Sequence, residues 1–149
     1  MSSLKAQIQS EMKDAMRARE KDRLGVIRML LAAIQSKEID KRSDLDDSEV
    51  LQVVEKLIKQ RKDAAQQFAD ADRPDREAAE LAEAELLQAY LPEQLSEAEL
   101  AAMVDDVIAS SGAAGMKDMG QVMAALREQA QGRADMGMLS GLVKSRLAG

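Results

Sequence analysis

Residues 116–149 read MKDMGQVMAALREQAQGRADMGMLSGLVKSRLAG, and this stretch decides the fold. Apolar side chains recur at Met119, Val122, Met123 and Leu126, then again at Leu139, Leu142, Val143 and Leu147. Those are the three- and four-residue steps of a helix with one buried face; a half-buried strand would alternate every second residue. Between the two runs stands Gly132-Arg133-Ala134-Asp135. Glycine takes positive φ without a Cβ clash and aspartate suits the cap of a following helix, so these four residues read as an interhelical turn. Gly120, at the start of the first run, reads as a point where a neighbouring helix comes close. Two helices this short are marginal without a third.

The third lies just upstream. Ser96 and Glu99 have the spacing of a capping box, Leu95 and Leu100 that of a hydrophobic staple, and Leu100, Met103, Val104, Val107 and Ile108 share one face until Gly112 stops the pattern. The same device opens a longer helix at Asp46, with Glu49 completing the box and Leu45 stapled onto Val50, and runs to about Ala71. Upstream of it are an amphipathic stretch from Ser3 to about Ala18 and a second from Asp22 to about Ile39. The second is apolar at Leu24, Ile27, Leu31 and Ile34 and again at Val26 and Leu30, a stripe wide enough to be covered on two sides. Pro74 suits the first turn of a fourth helix, and Pro92 closes it by disfavouring helical dihedrals at Leu91. The expectation is an all-α protein: an N-terminal four-helix unit over 1–92, the junction LPEQLS, and a small C-terminal three-helix unit over 96–149.

Composition agrees. The chain has 149 residues and is 46% hydrophobic, yet only 1% aromatic, with Phe68 and Tyr90 the whole aromatic content. Ala, Leu, Val, Ile and 10 Met supply the apolar mass, which favours packed helices over a sheet. No cysteine is present, so neither disulfides nor thiolate metal sites arise and a reducing cytoplasm is the expected compartment. The charged N-terminus lacks the apolar core of a secretion signal, and the longest uncharged apolar run, Met29 to Ile34, is far too short to span a bilayer. No membrane association is expected.

Charge is distributed unevenly. The net charge is −6, but residues 1–42 carry +4, residues 43–110 carry −12 and residues 111–149 carry +2. An acidic middle repels polyanions, while either end has the sign to meet phosphate. In the tail the cations are Lys117, Arg127, Arg133, Lys144 and Arg146; near the N-terminus Lys13 and Arg17 share a helix face, with Arg19, Lys21, Arg23 and Arg28 following. The same residues also suit an ordinary solvated surface. Arg28 and Arg61 fall on or near apolar faces and read as structural, paired with Glu55, Asp63 or a carboxylate of the fourth helix.

Catalytic chemistry finds little to work with. His, Cys, Thr, Asn and Trp are all absent, which removes the commonest general base, the thiolate nucleophile and most triad orienters. Ser10-Glu11-Met12-Lys13 matches a Ser-x-x-Lys spacing, but its companion motifs need Asn or Thr. Asp44, Asp46, Ser48 and Glu55 mimic part of a calcium loop, yet Glu49 stands where the turn requires glycine, and the capping box starts a helix inside the would-be loop. No metal, no cofactor and no catalytic residue is expected.

Five strings, in order along nearly the whole chain, resemble one family: Val26-Ile27-Arg28-Met29, Lys59-Gln60-Arg61-Lys62-Asp63, Tyr90-Leu91-Pro92-Glu93-Gln94-Leu95-Ser96, Met116-Lys117-Asp118-Met119-Gly120 and Gly132-Arg133-Ala134-Asp135. Together they look like a stand-alone YqeY-like protein of the GatB/YqeY family. The tail resembles the C-terminal module of the B subunit of the glutamine-dependent amidotransferases that act on mischarged tRNA, a module thought to contact the tRNA elbow. The resemblance implies a non-catalytic protein associated with tRNA or another structured RNA. Contacts from Lys117, Arg127, Arg133, Lys144 and Arg146, and from Lys13 and Arg17, would go to phosphate and sugar. Gly120, Gly132 and Asp135 are expected to be architectural. Two other readings stand beside it: a helical adaptor whose Met-rich faces accept a protein partner, and a component of carbon–nitrogen ligase activity by family association.

Overall fold

A computed structural model describes residues 2–148 of the chain. Among these residues there are seven α-helices and one 3-10 turn, with no strand. They divide into two compact units, Met1–Leu91 and Pro92–Gly149.

The first unit contains α1 (Ser3–Ala18), α2 (Lys21–Lys41), α3 (Asp47–Asp70) and α4 (Pro74–Gln88). Local chemistry sets each boundary. The Ser2 hydroxyl accepts from the amide of Lys5 at the start of α1. Asp46 and Glu49 close the capping box of α3, the Glu49 amide donating to Asp46 at 2.8 Å and the Asp46 amide to Glu49 at 3.2 Å. Pro74 occupies the first turn of α4, where its missing N–H removes nothing. Helix α4 stops at Gln88, three residues short of Leu91, and turns at Tyr90 and Leu91 carry the chain to Pro92. Two helix ends have no sequence signature: α1 and α2 close on Arg19 and Arg42 in the left-handed region, at φ 56° and 63°. Glycine is the ordinary residue there.

The core of this unit joins Ile8 and Ala15 of α1 to Val26, Ile27, Leu30 and Ile34 of α2, five positions of α3 with the staple residue Leu45, and Ala84 and Leu87 of α4. The buried line of α2 is therefore rotated from the spacing read in the sequence. Val26 and Leu30 are inside, whereas Leu24 and Leu31 are only partly covered. Leu45 and Val50 are both buried, as a staple requires.

The second unit contains α5 (Glu97–Ser111), α6 (Met119–Ala130) and α7 (Met136–Ala148), with the 3-10 turn Met116–Asp118 leading into α6. Ser96 and Glu99 form the capping box of α5, and Gly112 ends the helix at φ 71°. Leu100, Val104 and Val107 of α5 pack with Val122, Met123, Leu126 and Ala130 of α6 and Leu139, Val143 and Leu147 of α7. At ~25 cal/mol per Å2 of apolar surface, each buried Leu or Val contributes about 1.5–3 kcal/mol, so this cluster stabilises all three short helices together.

Candidate nucleic-acid interface

The cations proposed from the tail meet two different fates. Arg133 and Arg146 are absorbed by the fold. The Arg133 guanidinium donates through Nε to the carbonyl of Glu93 at 3.1 Å, while the Arg133 carbonyl accepts from the amide of Leu95 at 2.8 Å. Gln94 adds a third bond, its side-chain amide donating to the carbonyl of Gly132 at 2.7 Å. Residues 93–95 and the 132–135 turn, two of the strings singled out in the sequence, thus form a single clasp that ties the entry of α5 to the turn between α6 and α7. Arg146 reaches across from α7 to Asp105 of α5, Nε to Oδ1 at 2.8 Å.

Lys117, Arg127 and Lys144 remain exposed. Lys117 sits beside Asp118, whose carboxyl is held below its ordinary value, first by accepting the amide of Ala114 at 2.9 Å. Among the described residues Arg127 and Lys144 form no ion pair. The flexible stems of such side chains leave the charged head in water, where a phosphate can reach it.

The three residues read as architectural differ as well. Gly132 adopts φ 74° and is buried, a conformation that costs any other residue a steric penalty. Asp135 accepts the amide of Met138 through Oδ1 at 3.0 Å, at the start of α7. Gly120 departs from the expectation of a close helix approach: it is exposed, and a Cβ built on it meets nothing within 4 Å. Gly137 is crowded instead: an added Cβ there would stand 3.0 Å from Oδ1 of Asp135. A glycine beside a capping aspartate was the available signal.

In the first unit Lys13 and Arg17 are exposed on α1, and Arg17 makes only a loose contact with Asp14 at 3.8 Å. Arg28 is exposed too, against the expectation that it pairs within the bundle; the rotation of the buried stripe of α2 carries it outward. Arg61 does turn inward. It lies 3.7 Å from Glu80 and 3.3 Å from Glu83 on α4 and donates to the sulfur of Met29 on α2. Of the imitation calcium ligands, Asp46 is consumed as a helix cap, and among the described residues no cluster of three or more carboxylates is arranged to hold a metal ion. Among them, too, no helix is long and apolar enough to cross a membrane.

Sequence reasoning overlooked one concavity. Glu11 of α1, Arg23, Val26 and Ile27 of α2, and Leu86, Ala89 and Tyr90 at the end of α4 line a cleft of about 100 Å3. Oε2 of Glu11 is buried there without a hydrogen-bond partner among the described residues. Burial first, and then the carboxylate of Glu11, push the Tyr90 phenol well above its ordinary value. No spacing rule links residues 11, 23 and 90, so only packing reveals it.

The Yqey-like protein family matches the chain over residues 5–147. The chain belongs to that family. Relatives of this Yqey-like chain include Altered inheritance of mitochondria protein 41, mitochondrial, of Lachancea thermotolerans, which is 37% identical over 106 residues, or 69% of the chain and 57% of the relative. An uncharacterised protein of Schizosaccharomyces pombe is 33% identical over 94 residues, covering 63% of the chain and 76% of that protein. The Kluyveromyces lactis protein bearing the same name as the first is 38% identical over 86 residues, 57% of the chain and 46% of its own length. The Yqey-like chain thus spans about half the length of the two mitochondrial relatives.

Proposed function

We propose that this Yqey-like protein is a non-catalytic accessory that associates with tRNA or another structured RNA through its C-terminal unit. The observation that carries the reading is the exposure of Lys117, Arg127 and Lys144 in a unit whose other two cations are engaged by the fold. Both aromatic residues precede residue 92, so the unit has no ring on which an unpaired base can stack. Contacts of this kind address phosphate and ribose of a folded RNA and confer position, not base readout. A filter-binding titration with tRNA at stepped salt tests it. We expect the logarithm of the association constant to fall with the logarithm of salt at a slope of about −2 to −3, as for a few neutralised phosphates. Lack of retention at low salt counts against the reading.

A protein-interaction adaptor is the second reading, favoured by Met116 and Met138, exposed at 44% and 48%. Methionine adapts to irregular apolar partners. Affinity purification before and after ribonuclease separates the two, since a protein partner survives digestion. Carbon–nitrogen ligase work is tested by glutamine- and ATP-dependent amidation of misacylated tRNA; turnover by the purified chain would replace the accessory role. We place the protein in the cytoplasm on its lack of cysteine. The mitochondrial names belong to the relatives, and cell fractionation decides the compartment.

A further inference from the structure

We infer that the cleft between α1, α2 and the end of α4 binds a primary alkylammonium group, with Glu11 receiving the charged head. The inference stands apart from the RNA reading and rests on a different unit.

Size comes first. At about 100 Å3 the cleft is smaller than the roughly 150 Å3 cavity that admits benzene and well below the ~300–1,000 Å3 of pockets for drug-sized ligands. Nucleotides and whole cofactors are excluded; a short alkyl stem with a compact head fits. Polarity comes second. Val26, Ile27, Leu86 and Ala89 supply apolar wall for methylenes, and Oε2 of Glu11 supplies an acceptor that is buried and unpaired among the described residues. A buried acceptor without a donor is costly, so a ligand that brings an N–H donor removes the penalty. The other oxygen, Oε1, receives a long contact from Gln7 at 3.4 Å, and the Tyr90 phenol lies beside the same carboxylate.

Charge comes third. Arg23 also lines the cleft, but its guanidinium is held by Glu20 at 3.2 Å. Glu20 offsets Arg23 from outside the cleft, which leaves the single negative charge of Glu11 to face a monocation. A primary ammonium is compact and has three donors, whereas a planar guanidinium is larger and would stand against Arg23. Lysine side chains of a peptide and free aliphatic diamines share this chemistry.

The chain carries its own reporter. Tyr90 is its one tyrosine and it has no tryptophan, so tyrosine emission reports on this cleft alone. The full-length protein is titrated at constant ionic strength with n-butylammonium, 1,5-diaminopentane and Nα-acetyl-lysine amide, and with n-butanol and Nα-acetyl-norleucine amide as uncharged controls. We expect saturable changes with the ammonium compounds, half-saturating in the millimolar range appropriate to a ligand this small. Saturation by both diaminopentane and the lysine amide supports a general ammonium site, and by the lysine amide alone a peptide source. Glu11→Gln should weaken half-saturation at least about tenfold while circular dichroism stays native. Ala89→Leu, which adds bulk to the cleft lining and leaves Glu11 in place, should abolish the response if Glu11→Gln does not fold. A linear response in the native protein, equal responses to butanol, or an unchanged curve in both variants overturns the inference.

Discussion

The two units solve the same problem with different means. The first has helices of 16, 21, 24 and 15 residues; the second has helices of 15, 12 and 13. Long helices bring charged side chains from separate elements into register, and the first unit uses them: Lys5 meets Glu38 at 2.6 Å, Lys41 meets Glu49 at 2.6 Å, and Arg61 faces Glu80 and Glu83. Asp47 gathers the hydroxyls of Ser2 and Ser3 and the amide of Leu4 around the start of α1. The second unit has short helices, and its connections are secured by main-chain acceptors at Glu93, Gly132 and Arg133. The difference bears on the candidate interface. In the second unit Arg133 and Arg146 are spent on the fold, one on a main-chain carbonyl and one on Asp105, and Lys117, Arg127 and Lys144 stay exposed.

The largest effect is expected from the cores. Leu126→Ala and Ile34→Ala each empty a fully buried position, at a cost of about 3–4 kcal/mol. Amide hydrogen exchange should accelerate across 96–148 for the first variant and across 3–88 for the second. Acceleration everywhere in either variant would erase the distinction between units. Next comes Arg61→Ala, which leaves Glu80 and Glu83 facing a half-buried site without their cation; a loss of about 2 kcal/mol is expected, below the cost for a fully enclosed pair. A double-mutant cycle with Glu80→Gln should recover part of it. If the two losses simply add, the ion pair does not hold α3 to α4.

A sharper test sets Arg133 against Lys144. Arg133→Ala should cost about 1 kcal/mol in denaturant unfolding, from the lost bond to the Glu93 carbonyl. Lys144→Ala should leave stability unchanged and reduce the salt slope of tRNA binding by about 1. The reverse pattern would exchange their roles. The smallest effect is in acid. The surrounding donors, led by the Ser2 hydroxyl, bring the Asp47 carboxyl down to about 2, and Glu38 is lowered first by Lys5. A depressed folded value means that the stabilisation is complete above the unfolded carboxylate range near 4 and is lost as pH falls through about 2. The protection of the first-turn amides of α1, taken relative to their intrinsic exchange rate at each pH, should therefore fall between pH 4 and pH 2. Unchanged protection over that window would remove the Asp47 cluster from the comparison.

Much of the fold was legible because its signals are local. The capping boxes at Asp46 and Ser96, Pro74 in a first turn, and Gly112 and Gly132 at turns all act within a few residues of themselves. The left-handed ends at Arg19 and Arg42 were not legible, since arginine carries no preference for positive φ and the surrounding packing imposes it. The candidate interface was half legible. Cations announce themselves in a sequence, but Arg133 and Arg146 are told apart from Arg127 and Lys144 only by what lies opposite each of them. The Glu11 cleft left no trace at all, its walls being drawn from positions scattered over some 80 residues.

By itself, then, the sequence determined seven helical segments, their caps and stops, and family membership, because hydrophobic period and terminal hydrogen bonding are properties of neighbouring residues. Tertiary structure alone decided which face of α2 is buried, which arginines serve the fold, that Gly120 is open while Gly137 is crowded, and that an unpaired carboxylate oxygen sits in an apolar cleft. Each of those outcomes depends on atoms brought from distant positions, and no local pattern encodes their distance.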